Sequence, residues 1–320
     1  MTPMLDIYIN HWTEDWSIGE KAFRMLALQR GCDWRRIRVT VVHAGSERFP
    51  DSYFDGLPFD VRQVQLIHGG IARARNWCID DGDGEWIKWC DWDDMFAGVY
   101  ALRDLTHALE IGQKYDLLWF DLMFELMDGR VIRKNSYDPV VVHGKAFRRS
   151  FLRKTGLRFP EFLTWCEDSA MLATLEMEID PQRKGYIRTD APIYSYIARQ
   201  GSLCNRPEIF YENRKSFFRR HRYVQDQMEK HGMEREACMM TARTLADSRY
   251  TLELAGITED MSEFRERVRR YYRARRGDLA RITAGEMRGI LEAVNLENQG
   301  CSIDARSFWN WLRKLNEGGE

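Results

Sequence analysis

The chain has 320 residues, of which 44% are hydrophobic and 30% charged, and a net charge of −1. It is long enough to bury a core in one large domain or two smaller ones, and too apolar to be wholly disordered. Its near-zero charge gives no whole-molecule attraction to nucleic acid or to a membrane surface.

Residues 1–10 lack a basic region followed by a long apolar run, and no stretch of about 18 apolar residues follows anywhere. A cytoplasmic protein without a signal peptide or spanning helix is therefore expected. Leu5 to Ile9 alternates and reads as a strand. Ser17 to Gln29 carries apolar residues at helical spacing and stops at Gly31. A second strand spans Ile37 to Val42, followed by the turn Ala44-Gly45-Ser46. A short strand at Val61 to Leu66, a helix at Ile71 to Asp80 and a strand at Trp86 to Cys90 come next. This alternation predicts an α/β domain with a mostly parallel sheet and ligands at the strand C-terminal ends. Gly98 to Glu110 reads as a helix, Tyr115 to Met123 and Arg130 to Lys134 as strands, with a turn at Asp128-Gly129. Phe147 to Lys154 and Glu167 to Met177 read as helices, and Tyr186 to Ile197 as a strand. Beyond Pro207 strand signals vanish. Phe264, Val268, Tyr271 and Tyr272 form one apolar stripe on a helix ending at Gly277. Thr283 and Glu286 form a capping box, and Ser302 to Leu315 is an aromatic helix. The expected organisation is a catalytic α/β domain over residues 1–205 and a helical domain over 206–320, the latter for acceptor binding or self-association. Seven cysteines, from Cys32 to Cys301, form no CxxC pair and suggest free thiols, with neither zinc nor disulfides.

Three segments carry chemistry. Asp91-Trp92-Asp93-Asp94 follows a hydrophobic strand directly, and Asp91 and Asp93 share a strand face. A hard divalent cation holding a diphosphate uses such oxygen ligands, but a solvated acidic turn has the same spelling. Gly69-Gly70 with Arg73, Arg75 and Asn76 opens a helix and could hold phosphate through backbone amides and guanidiniums, or be a surface helix. A strict GxGxxG is absent, which removes a dinucleotide cofactor. Glu167-Asp168 places two carboxylates at a helix start, either as caps or as a base that activates a hydroxyl.

In this order the pieces resemble family 2 glycosyltransferases of the GT-A fold. The resemblance rests on Asn10 ending the first strand, Gly70 with Ala74-Arg75-Asn76, and Asp91-Trp92-Asp93-Asp94. It continues through Gly144-Lys145 with Arg149 to Leu152, Arg158-Phe159-Pro160-Glu161, Glu167-Asp168, and Tyr194-Ser195-Tyr196 with Arg199 to Ser202. It covers residues 4 to about 205. The resemblance implies a manganese or magnesium ion held by Asp93 with Asp91 and supported by Asp94. It implies donor contacts from Asn10, Gly70, Arg75, Asn76, Asp91, Arg199 and Ser202, and Asp168 as catalytic base with Glu167 as fallback. The implied reaction is inverting transfer of a single sugar from a nucleotide-sugar, by default a UDP-sugar. One departure stands out: where the family has Val-Asp-Asp-Gly-Ser, whose first Asp reads uracil, this chain has Val42-His43-Ala44-Gly45-Ser46, without either acid.

The acceptor is open at this level: a glycan, a lipid-linked glycan or a hydroxymethylated DNA base. The last is suggested by Arg265, Arg267, Arg269, Arg270, Arg273, Arg275 and Arg276 on one helix, although nearby acids could simply neutralise them. Two other classes compete. A nucleotidyltransferase also uses Asp-x-Asp and metal, and a degenerate GT-A domain could serve as a binding module.

Overall fold

The computed structural model describes residues 4–67, 69–135, 137–202, 209–298 and 301–317. These fall into two compact units, Met1–Asn205 and Arg206–Glu320.

The first unit is built on strands β1 (Leu5–His11), β2 (Ile37–His43), β3 (Val61–Gln65), β4 (Trp86–Asp91), β5 (Met95–Phe96) and β6 (Leu117–Trp119). They are followed by β7 (Leu122–Glu125), β8 (Val131–Lys134), β9 (Lys145–Arg148), β10 (Lys184–Tyr186) and β11 (Tyr194–Ile197). A seven-stranded sheet runs β10-β6-β9-β4-β1-β2-β3, and a four-stranded sheet runs β5-β11-β7-β8. In the larger sheet β3, β2, β1 and β4 are mutually parallel, β6 pairs parallel with β10, and β9 lies antiparallel to both β4 and β6. The fold is therefore the expected α/β class with a largely parallel sheet.

Every residue of β1 is buried, which explains its near-continuous apolar run: a central parallel strand is covered on both faces. Leu5, Ile7 and Ile9 enter one core with Val39, Val41 and Trp86, under α1 (Trp16–Ala27) and α3 (Ala101–Ile111). Tyr8 enters the opposite core with Val42, Ile87 and Trp89, beside α2 (Gly70–Asp80), α4 (Arg149–Thr155) and α5 (Glu167–Glu178).

Arg149 ties this second layer together. It donates to the carbonyls of Cys78 (2.7 Å) and Ile79 (3.0 Å) at the end of α2 and to the Asp6 carboxylate (2.5 Å). A cation at a helix C-terminus complements the dipole and the unpaired carbonyls. Arg149→Met leaves the buried Asp6 carboxylate with Arg38 (3.3 Å) and the Gly84 N–H (3.0 Å) alone, and urea unfolding should show a loss of about 3 kcal/mol. A loss below about 1 kcal/mol would mean that Arg38 and the Gly84 N–H satisfy Asp6 without Arg149.

Four sequence readings are corrected. Tyr115–Met123 is not one strand: the chain leaves the large sheet after Trp119 and enters the small one at Leu122. The buried Asp121 carboxylate fixes that corner, accepting from Arg133 Nε (2.7 Å) and from the Tyr186 hydroxyl. Tyr186–Ile197 divides likewise into β10 and β11 of different sheets. The segment read as a helix from Phe147 is strand β9 as far as Arg148, because pairing with strands on both sides outweighs its local preference. Gly277 does not end its helix, which runs on to Leu279.

The second unit packs α6 (Phe210–Lys230), α7 (Glu234–Arg249), α8 (Ser262–Leu279), α9 (Ala284–Glu297) and α10 (Ala305–Glu317) around Phe218, Leu245, Phe264, Leu291, Phe308 and Trp311. Val268 and Tyr271 of the expected stripe are buried in it, and Thr283 and Glu286 form the capping box at the start of α9. On α8, Arg267, Arg269 and Arg275 pair with Glu263, Glu266 and Glu229, and Arg273 donates to Asn316. Among the described residues no helix is long and apolar enough to cross a membrane.

Candidate functional site

Because β1, β2 and β4 are parallel, their C-termini gather on one edge of the sheet. The register sets Asn10 beside both Val42 and Asp91, and His11 beside His43. Asn10 is 4% exposed, and neither polar atom of its amide has a hydrogen-bond partner among the described residues. Buried amides are usually satisfied, so Asn10 stands out at this edge.

The acidic segment leaves β4 at this edge. Asp91 accepts from Arg75 (3.1 Å) and hydrogen-bonds His143 Nε2 (2.9 Å), while its backbone N–H donates to the Tyr194 hydroxyl (2.9 Å). Asp94 is 1% exposed; one oxygen accepts from the Ile197 N–H (2.9 Å), and the other is buried without a hydrogen-bond partner. Ligand atoms of Asp91, Asp94 and His143 all lie within 4.8 Å of one another. Three such donor groups, close together and buried or half-buried, form a group that could hold one divalent ion. The two carboxylates are the hard oxygen ligands that manganese or magnesium takes, and the imidazole adds a nitrogen donor. Asp93 takes a different direction: its carboxylate pairs with Arg199 Nε at 2.7 Å, and Arg199 also reaches Glu14 at 3.4 Å.

Arg75 connects this cluster to the second acid pair. Its guanidinium is 3% exposed and donates to Asp91 and to Glu167 Oε1 (2.7 Å). Glu167 and Asp168 open α5, entered through Cys166 at φ 66°, the one non-glycine residue with positive φ among the described residues. An L residue held there is strained, a condition that clusters at functional sites. Asp168 is half-buried, and its Oδ1 accepts from the Ser169 N–H (2.7 Å).

One guanidinium thus serves several carboxylates, and the protonation states follow. Burial, reinforced by Asp168, pushes Glu167 up to about 7 in spite of Arg75. Burial likewise raises Asp168. Burial, with Asp91 and Asp93 nearby, pushes Asp94 up to about 7. Burial also raises Asp93. For His143 burial acts downward, but the Asp91 carboxylate prevails and raises it. For Asp91 burial acts upward, and His143 and Arg75 prevail to hold it far below the ordinary range. The region is short of positive charge.

Glu167 therefore carries a testable sign. Its folded pKa of about 7 lies above the ordinary 4.5, so the folded state binds more protons than the unfolded state across that window. The stability that the protonated acid contributes is present at low pH and is lost as pH rises through 7. In chelator-containing buffer, the melting temperature of Glu167→Gln minus that of wild type should rise from pH 5 to pH 8. A flat difference would assign Glu167 an ordinary pKa.

The remaining sequence candidates are placed as follows. Gly70 has φ 68° at the start of α2, and a Cβ there would meet the Trp12 ring at 3.3 Å. Trp12, 47% exposed, thereby lies against the helix entrance. Asn76 does not point to the sheet edge. It clamps the following loop, donating to the Phe159 carbonyl (2.8 Å) and accepting from the Phe159 N–H (2.7 Å). Ser202 is buried, and its N–H bonds the Arg199 carbonyl at 3.4 Å. At the position of the missing acids, His43 is fully buried between His11 Nδ1 (2.9 Å) and Gln63 Oε1 (3.0 Å), and burial lowers it to about 4.

His143 was absent from the sequence candidates. The signal lay in the strand register: β9 pairs antiparallel with β4, Ile87 opposite Phe147. Continuing that register by four residues brings His143 opposite Asp91.

No protein-family profile matches the chain. The succinoglycan biosynthesis protein ExoM of Rhizobium meliloti is 30% identical over 96 residues, 29% of this chain and 31% of ExoM, so the match spans less than a third of that protein. Among solved structures, S. aureus TarS 1-349 superposes with a TM-score of 0.62 at 15% identity, covering 99% of this chain and 91% of that one. The complex of TarS 1-349 with UDP-GlcNAc gives 0.63 at 15% identity, with the same coverage. The chain has a TarS-like glycosyltransferase fold, the class its motifs resemble.

Proposed function

We propose that this protein is a metal-dependent glycosyltransferase that moves one sugar from a UDP-sugar to an acceptor hydroxyl with inversion. The observation that carries the reading is the convergence of Asp91, Asp94 and His143, joined through Arg75 to Glu167 beside Asp168. The complexes of TarS with UDP-GlcNAc support a uridine nucleotide, and the ExoM similarity supports a glycan product.

Asp91, Asp94 and His143 would hold manganese or magnesium, whose chemistry is to neutralise charge developing on the departing diphosphate. The surplus of carboxylates, and the burial and mutual repulsion that make Asp94 and Asp93 weaker acids while the site lacks a cation, fit such an ion. Asp93 and Arg199 neutralise each other, and a donor diphosphate would compete for Arg199 and leave Asp93 available to support the ion. Asn10 offers its amide to the donor, and Trp12 a flat face for the base. Arg75 holds Asp91 and Glu167 in place.

Asp168 is the base. Glu167 is committed to Arg75, whereas Asp168 is more open and accepts from the adjacent Ser169 amide. Asp168 takes the acceptor hydroxyl proton as the oxygen bonds to the anomeric carbon, and the bond from that carbon to the diphosphate breaks on the opposite side. The Arg206–Glu320 unit serves acceptor binding or self-association. On α8 the arginines without a described side-chain partner are Arg265, Arg270 and Arg276, a small surface for a DNA backbone, so a glycan acceptor is favoured.

The reading is tested by incubating the protein with a panel of nucleotide-sugars in manganese and measuring nucleoside diphosphate release. UDP release from at least one UDP-sugar, suppressed by chelator, is expected. Pyrophosphate release from a nucleoside triphosphate instead would make the protein a nucleotidyltransferase.

A further inference from the structure

The outer face of α2 bears a cleft of about 450 Å³ that the arrangement above does not use. That volume falls within the range of small-molecule sites, about 300–1,000 Å³. Arg73, Trp77 and Asp80 line it from one face of the helix, four and three residues apart. Arg158 and Glu161 line it from the loop that Asn76 clamps.

The chemistry of this lining is specific. Two guanidiniums are matched by two carboxylates, so there is no excess charge to attract a phosphate. One pair is already made, Arg158 with Asp80 at 2.7 Å, and Glu161 accepts from Asn76 at 3.0 Å. Arg73 is exposed and has no described side-chain partner. Such a set of planar donors and acceptors suits adjacent hydroxyl groups, which both give and take hydrogen bonds. Trp77 supplies an apolar plate for the C–H face of a pyranose. The indole stands perpendicular to Tyr8 (6.3 Å between centroids) and the Arg62 guanidinium lies over the ring (5.5 Å), so its position is already fixed and packing a ligand against its remaining surface costs little order.

The cleft also shares a wall with the acid cluster. Asn76 and Phe159 line it, and the Arg75 guanidinium lies 5.5 Å from the Phe159 ring on its way to Asp91 and Glu167. From Glu161 the chain reaches Glu167 six residues later.

We propose that this cleft is a saccharide subsite that takes a neutral stretch of the acceptor glycan. Its assignment to the acceptor rests on the glycosyltransferase reading; the binding of a neutral saccharide does not.

The test is saturation-transfer NMR of the full chain with neutral gluco-, galacto- and manno-oligosaccharides, and in parallel with glucose 6-phosphate. A second set of samples measures UDP binding in manganese by calorimetry. Wild type is expected to bind a neutral oligosaccharide in preference to the sugar phosphate. Arg73→Ala/Arg158→Ala, and separately Trp77→Ala, should weaken that binding about ten-fold or more while melting cooperatively and keeping wild-type UDP affinity. The proposal is overturned by absence of binding to every neutral oligosaccharide, by preference for the phosphate, or by binding that survives both variants. Absent UDP binding beside intact saccharide binding would strike the donor reading and leave the subsite standing.

Discussion

Asp168→Asn is expected to lower turnover about 10²–10⁴-fold, the contribution of a positioned general base. UDP affinity in manganese should stay within about two-fold of wild type, a shift of well under 1 kcal/mol. The exchange is isosteric and keeps the oxygen that accepts the Ser169 N–H, so α5 retains its first turn. It removes the ability to take a proton. Glu167→Gln should cost far less, because Arg75 still donates to the amide oxygen and Asp168 carries the proposed proton transfer. Steady-state kinetics with the best nucleotide-sugar, coupled to UDP release, makes the comparison. Wild-type turnover in Asp168→Asn moves the base to another group; the reverse ranking of the two variants places it at Glu167.

The second large effect concerns the cation. Asp94→Asn retains an acceptor for the Ile197 N–H but loses the charge, and His143→Ala removes the nitrogen ligand. Each should weaken manganese binding about 100-fold or more, since even outer-shell changes cost 10–100-fold. Electron paramagnetic resonance of free manganese measures this directly. The stability of Asp94→Asn separates coordination from structure. Asp94 is a buried acid raised to about 7, so above that pH the folded state bears the cost of an ionised, unpartnered oxygen. Asp94→Asn should therefore melt higher than wild type in chelator at pH 8, while binding metal worse. A variant that melts lower and binds manganese normally would mean that Asp94 only supports the Ile197 backbone.

Much of this site could be read from the chain because it is built from local signals at strand ends. β1, β2 and β4 announce themselves by β-rich apolar runs, and the acidic segment begins where β4 stops. Gly69-Gly70 and Glu167-Asp168 mark helix entrances, which short motifs describe well. What could not be read depends on pairing between distant segments. His143 has no local pattern; it becomes a neighbour of Asp91 only through the antiparallel register of β9 on β4. The same pairing turned an apparent helix start into a strand. Asp93 and Asp94 are indistinguishable in a string of acids, yet a one-residue step sends one to Arg199 and the other beside His143. Asn76 stands next to Arg75, but on a helix adjacent residues face different ways. One therefore holds the acid cluster and the other the Phe159 loop.

The central claim is that these carboxylates and His143 hold a divalent ion against the phosphates of an activated sugar. Calorimetric titration of UDP at pH 7.5, with manganese and then with chelator, tests it most directly. The account predicts measurable binding with manganese and a loss of about 100-fold or more without it. Equal UDP affinity in both buffers, or no binding in either, would contradict it.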